Sequence, residues 1–299
     1  MLLFAAVATG CAVQTPDPER RLVFVCPIIE NSYWQQCVAG VKEADASLGV
    51  ETEVIGPATA ENFMSEMPVY MQQAIDSDPD GILVYAGIPE VASLIEHAHE
   101  KGIPVVTVDA DAPDTARAAY VGTDLYKMGF ACGEELVSLT EGTANVGYVC
   151  TAKTIENEAH VYAAFKDAVC DYYVTIVAET EGANNAGEAE EGTKRLLAEH
   201  PEIDALFVTG GENATGVAKA LEELKRTDIA VVGLEDTKEN LDYLRKGIID
   251  ALFVQDPYQM CYQGIRTLNK LINAEGSVKG SVSTDTVKIT IDNVDTYKD

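Results

Sequence analysis

Gly81-Ile-Leu-Val-Tyr85, the run from Glu90 to Lys101, and Gly102-Ile-Pro-Val-Val-Thr-Val-Asp109 together read as strand, helix and strand. The two apolar runs are short, rich in Val and Ile, and lack strict alternation, which suits parallel strands buried on both faces. The run between them is helix-like, and Gly102 stands where a helix stop belongs. Two parallel strands joined by a helix form a right-handed βαβ unit.

The same rhythm continues in both directions. Upstream, Leu22–Cys26 and Glu51–Ile55 read as strands, and the helical stretches are Tyr33–Leu48 and Phe63–Ile75, the latter despite Pro68. Downstream, the strand candidates are Ala118–Gly122, Asn145–Val149, Val174–Ala178, Ala205–Val208, Ala230–Leu234 and Ile249–Val254. Between and beyond them lie the helix candidates Leu125–Leu139, Asn157–Cys170, Ala186–Glu199, Ala214–Lys225, Lys238–Arg245 and Tyr258–Asn273. The fold class is α/β, with two doubly wound parallel sheets. Such sheets bind ligands where loops converge at the carboxyl ends of their strands. The informative residues are therefore those that follow each strand.

The chain has 299 residues, 47% of them hydrophobic, enough to fill one or two α/β cores. Its 49 acidic residues against 21 basic ones give a formal net charge of −28. That balance repels phosphate backbones and anionic headgroups, which argues against nucleic-acid binding. The acids are spread along the chain rather than gathered in a tail, as on a solvated surface.

Met1 to Cys11 is apolar and small, too short to span a bilayer. It reads as the end of a signal peptide's hydrophobic region, although no Lys or Arg precedes it. Ala8-Thr9-Gly10-Cys11 resembles a bacterial lipoprotein lipobox, which implies cleavage before Cys11 and a lipid on its thiol. Ala12 to Arg21, with Pro16 and Pro18, suits a flexible tether, so residues 1–21 are assigned to signal and tether. The expected location is the cell envelope, outside the cytoplasm, with the membrane reached through the lipid anchor alone.

The other cysteines, Cys26, Cys37, Cys132, Cys150, Cys170 and Cys261, form no CxxC pattern, and most sit in apolar segments as buried thiols would. The four histidines do not repeat at ligand spacing, so no metal site is expected. No GxGxxG or Walker sequence follows the first strand, and no serine elbow or Cys–His pairing stands at a strand end. No cofactor and no catalytic residue are assigned. A repressor's effector domain would carry a basic helix-turn-helix where this chain has its apolar leader.

Several segments in register resemble the ribose- and galactose-binding family of type I periplasmic binding proteins. They are Leu22–Cys26 with Asn31-Ser-Tyr-Trp34, Gly81–Tyr85, Gly102–Asp109, Tyr120-Val-Gly-Thr-Asp124, Phe165-Lys-Asp-Ala-Val169, Val231-Val-Gly-Leu-Glu235 and Ala251-Leu-Phe-Val-Gln255-Asp-Pro257. The resemblance runs over nearly all of Arg21 to Ile291. It implies two lobes joined by three crossings, near Thr123, Gln255 and Thr284. The N-terminal lobe would be residues 22–123 plus 256–283, and the C-terminal lobe residues 124–255 plus 284–299. It further implies a receptor that closes about its hinge on a solute in an interlobe cleft and delivers it to the membrane permease of an ABC transporter. A chemosensory receptor for a signalling partner, on the same fold, is the alternative.

The resemblance also carries site residues. Tyr33 and Trp34 would stack on a sugar ring, against ordinary packing at a helix start. Asn31 would bond ligand hydroxyls, against a helix N-capping role. Asp109 matches a carboxylate that accepts from hydroxyls, against a turn role, and Gln255 matches a ligand amide, against a hinge hydrogen bond. Glu235 stands where the family has Asp. The family's Asp-Arg pair is Asp109-Ala110 here, its second-lobe arginine falls near His160 or Val161, and its Asn-Asp after the eighth strand is Gly210-Gly211. Lost arginines and the acids Glu30, Glu158 and Glu212 leave a more acidic site, with Glu158 counted among the contacts. The expected ligand is a neutral sugar or polyol, or a weakly cationic analogue.

Overall fold

The structure, a computed structural model, describes residues 20–59, 61–274 and 280–297. The lipobox assignment at Cys11 lies outside the described residues. In chain order the elements are β1 (Arg21–Val25), α1 (Ser32–Leu48), β2 (Glu51–Ile55), α2 (Phe63–Asp76), β3 (Gly81–Val84), α3 (Pro89–Glu100), β4 (Val105–Val108) and β5 (Ala119–Thr123). They continue with α4 (Leu125–Leu139), β6 (Thr143–Cys150), α5 (Glu156–Val169), β7 (Tyr173–Glu181), α6 (Ala186–Glu199), β8 (Ala205–Val208) and α7 (Gly211–Leu224). The last are β9 (Ala230–Leu234), α8 (Lys238–Arg245), β10 (Ala251–Val254), α9 (Pro257–Ile272), β11 (Ser281–Thr284) and β12 (Val287–Thr290).

Two compact units result. One contains the chain up to Tyr120 together with Cys261–Gly280, the other Val121–Met260 with Ser281–Asp299, so the chain crosses between them three times. The first sheet has the order β11-β5-β4-β3-β1-β2 and the second β12-β10-β9-β8-β6-β7. The orders correspond strand for strand: β1 with β6, β3 with β8, β4 with β9, β5 with β10. Residues 81–108 form β3, α3 and β4, with β3 and β4 paired in parallel from Ile82 against Val105. One feature of the second sheet departs from an all-parallel reading: β12 pairs antiparallel with β10 as its edge strand.

In the first unit, Val23, Val25, Ile82, Val84 and Val105 pack against Met67, Met71, Val91 and Ile95 of α2 and α3. Pro68 lies inside α2 without ending it. In the second unit the side chains of β8 and β9 alternate between two cores. Leu206, Val208 and Val231 join Leu196, Val217 and Leu221 on one face. Ala205, Phe207 and Val232 join Met128, Leu136 and Phe165 on the other. Apolar residues on both faces explain why these strands read as continuous hydrophobic runs.

Candidate functional site

The strand ends of the first unit carry a polar cluster. Asn31 is the N-cap of α1, with extended backbone (φ −75°, ψ 139°), and its Oδ1 accepts from the N–H groups of Tyr33 (2.9 Å) and Trp34 (3.4 Å). Capping satisfies amides that an α-helix leaves unpaired and pins both aromatics in the first turn. The Tyr33 hydroxyl then donates to Asp109 Oδ1 at 2.7 Å. Trp34 is only 7% exposed and sits with its ring 5.2 Å from Tyr33 and 5.8 Å from Tyr85, both edge-on, and 6.5 Å from Phe24. Nearly all of its surface is withdrawn from solvent, with three aromatic rings among its neighbours.

Asp109 follows β4 directly and has φ +66°. The Ala110 N–H donates to the Val108 carbonyl at 2.8 Å, which closes a γ-turn centred on Asp109. That form of γ-turn is rare and strained, and a non-glycine residue in a sparsely populated region persists where its surroundings hold it. The Tyr120 hydroxyl supplies one hold, donating to the Asp109 carbonyl at 2.9 Å. Burial pushes the Asp109 carboxyl up to about 6, partly opposed by the Tyr33 hydrogen bond. The Tyr85 hydroxyl is pushed up to about 12 by burial and then by the charge of Asp109.

Sequence reasoning missed the cluster's cation. Arg117 stands with Nε 2.5 Å from Asp111 Oδ1 and Nη2 2.6 Å from Oδ2. Asp111 also accepts from Thr107 Oγ1 and from the Ala112 N–H, each at 2.8 Å. The arginine's charge is thus balanced by a carboxylate that is itself held in place. The only available signal was an Asp and an Arg six residues apart in a loop, which carries no pairing information.

In the second unit Glu235 follows β9 directly with φ +69°, and the Gln255 side-chain amide donates to its Oε1 at 3.1 Å. The Glu235 backbone is held by a residue the sequence reading passed over. Asn240, fully buried on α8, donates to the Glu235 carbonyl (3.2 Å) and the Gly211 carbonyl (3.0 Å), while accepting from Thr215 Oγ1 (2.8 Å). Glu158 has a bracing role: its carboxylate accepts from the Thr151 N–H at 2.9 Å and the Ala152 N–H at 3.3 Å, which fixes the loop between β6 and α5. Glu30 and Glu212 are exposed. The first unit therefore gathers Asn31, Tyr33, Trp34 and Asp109, and the second gathers Glu235 with Gln255, while Glu158 serves its own loop.

Among the described residues no group of three or more His, Cys, Asp or Glu could hold a metal ion, and no helix is long and apolar enough to cross a membrane. Cys26, Cys37, Cys132, Cys150 and Cys261 are buried and in no disulfide, whereas Cys170 is exposed.

The family profile of the periplasmic binding protein domain matches residues 22–276. GanP, a glucose-galactose binding protein from Geobacillus stearothermophilus, is 33% identical, with a TM-score of 0.84 over 93% of this chain and 99% of its own. A structure described as the XylFII–LytSN complex is 28% identical, with a TM-score of 0.77 over 92% of this chain and 98% of that one. The ribose import binding protein of Escherichia coli (strain K12) is 24% identical over 189 residues. That match covers 62% of this chain and 62% of the relative's own length.

Proposed function

Because this chain belongs to the periplasmic binding protein family, we propose that it captures a small neutral sugar or polyol outside the cytoplasm and delivers it unchanged to an ABC importer. The observation that carries this reading is the pair of carboxylates Asp109 and Glu235. Each stands at the carboxyl end of the corresponding strand of its own sheet, in left-handed backbone, with one oxygen taken by a neutral donor of its own lobe. A carboxylate offers about four lone-pair sites and accepts strongly from hydroxyl donors. Hydroxyl-rich solutes fit this acceptor chemistry. Sugar phosphates and sugar acids do not, since the arginine in the first cluster is paired with Asp111. The similarity to GanP, a glucose-galactose binding protein, and to the ribose import binding protein supports a sugar as the solute class.

In this reading Asp109, with the Tyr33 and Trp34 aromatics, engages the solute from one lobe, and Glu235 with Gln255 engages it from the other. The lobes close on it about the crossings. Cys11 carries the lipid that tethers the domain. Purified protein is tested by thermal melting against pentoses, hexoses, polyols, amino sugars, sugar acids and sugar phosphates. A ligand at a hundred times its dissociation constant adds about 2.7 kcal/mol to the folded state. A shift with a neutral compound supports the reading; shifts confined to anionic compounds contradict it.

A receptor role toward a signalling partner is the second reading; one of the similar structures is described as a complex, XylFII–LytSN. Tagged protein, loaded with its solute, would co-purify with a membrane receptor rather than with a permease.

A further inference from the structure

We propose that the Tyr33 hydroxyl is a positioning group for Asp109, so that this aromatic residue sets the orientation and ionisation of the solute-binding acid in addition to presenting a ring. The inference rests on the reading of Asp109 as that acid. The bond from Tyr33 to Asp109 Oδ1 is 2.7 Å long and joins residues 76 positions apart. Both of its ends are fixed. Tyr33 is held by the Asn31 cap on its own N–H. Asp109 is held by its γ-turn and by the Tyr120 hydroxyl on its carbonyl. A hydrogen bond between two pinned groups selects one carboxylate rotamer, which leaves Oδ2 and the remaining lone pairs for solute hydroxyls. A phenylalanine at position 33 would keep the ring and lose this selection.

The hydroxyl also acts on charge. Donating to a carboxylate favours its ionised form, and here it works against burial, which favours the neutral acid. The groups around Asp109 come from several elements: Tyr33 on α1, Tyr85 after β3, Tyr120 on β5 with Asp111 and Arg117 beside it, and Cys261 on α9. Burial raises Tyr85, Tyr120 and Cys261 above their ordinary ranges, so they keep their protons at neutral pH. Asp111 and Arg117 hold each other as an ion pair. Near neutrality the charge of this cluster therefore turns on Asp109, and the Tyr33 hydroxyl is the side-chain group that favours its ionised form.

The deciding readout needs no solute. The Asp109 side-chain carboxyl is followed by carbon-13 NMR through a pH titration in wild type and Tyr33→Phe, with Asp109→Asn assigning the signal. Fluorescence of Trp34, the only tryptophan, gives a second readout, since its ring lies 5.2 Å from Tyr33. The expected result is a midpoint near 6 in wild type that moves upward in Tyr33→Phe, with melting temperature little changed. Sugar affinity at pH 6.5 should then fall more than affinity at pH 8.5. An unchanged midpoint in Tyr33→Phe overturns the proposal while the solute reading stands. A shifted midpoint with no sugar bound by the wild type has the opposite consequence.

Discussion

Asp109 and Glu235 occupy the same position in two different sheets. Each is the first residue after the third strand in its sheet's order, β4 in one and β9 in the other, with φ +66° and +69°. Each has one carboxylate oxygen taken by a neutral donor, Tyr33 in the first case and Gln255 in the second. Left-handed backbone at a non-glycine residue costs of order 1–3 kcal/mol and persists where the surroundings over-determine it. Paying twice at equivalent points ties the strain to the strand-end chemistry rather than to an accident of one loop.

Asp109 should lower stability at neutral pH. Its carboxyl titrates at about 6 in the folded chain against an ordinary 3.8, so the unfolded chain ionises first as pH rises. Between those values the folded state binds more protons, and stability falls as pH increases through the window. Above it the cost is on the order of 3 kcal/mol. Asp109→Asn should therefore resist urea better than wild type at pH 7.5 and lose most of that advantage at pH 4. An equal difference at both values would mean that ionisation is not the cause.

Trp34 should matter for the fold as well as for any solute. It is 7% exposed and packs against Phe24, Tyr33 and Tyr85. Trp34→Ala is expected to lower unfolding free energy by about 3–5 kcal/mol, as for other buried aromatics. Urea unfolding checks this, and a change below about 1 kcal/mol would place the ring outside the core.

Asn240 and Gln255 both bond Glu235 but should behave differently when replaced. Asn240→Ala removes a donor to the Gly211 and Glu235 carbonyls and the acceptor of the buried Thr215 hydroxyl, and should cost about 2–4 kcal/mol of stability. Gln255→Leu removes a donor to the half-buried Glu235 side chain and should leave stability within about 1 kcal/mol while weakening solute binding roughly tenfold. Equal loss of stability in both variants would contradict this separation.

Cys170 is the exposed thiol among the described cysteines, and burial pushes Cys26 and Cys150 up to about 12. In Cys11→Ala protein, a disulfide reagent should modify one thiol quickly, and Cys170→Ser should abolish that fast phase. Several fast thiols in the native state would contradict the burial pattern.

Much of the architecture was legible because buried parallel strands leave continuous Val, Ile and Leu runs, and amphipathic helices alternate with them. The strand ends were legible too, and they led to Asp109, Glu235 and Gln255. The antiparallel direction of β12 was not, because a short edge run such as Val287–Thr290 has no periodicity that encodes its pairing partner. Long-range side-chain pairing was equally hidden. Tyr33 read as a stacking ring because nothing local ties it to a carboxylate 76 residues away. Asn240 drew no reading of its own within the helical run Lys238–Arg245, although it is fully buried and braces Glu235. Asn31 had two readings in the sequence, and in the structure its side chain caps α1.

The central claim is that Asp109 and Glu235 serve a neutral, hydroxyl-rich solute that leaves unchanged. Calorimetric titration of purified protein with the sugar that shifts melting most, beside Asp109→Asn and Glu235→Gln, tests it most directly. Mass analysis of the recovered ligand completes the measurement. The account predicts one site per chain, affinity weakened at least tenfold in each variant, and a ligand of unaltered mass. Undiminished binding in both variants, or a chemically converted ligand, would contradict it.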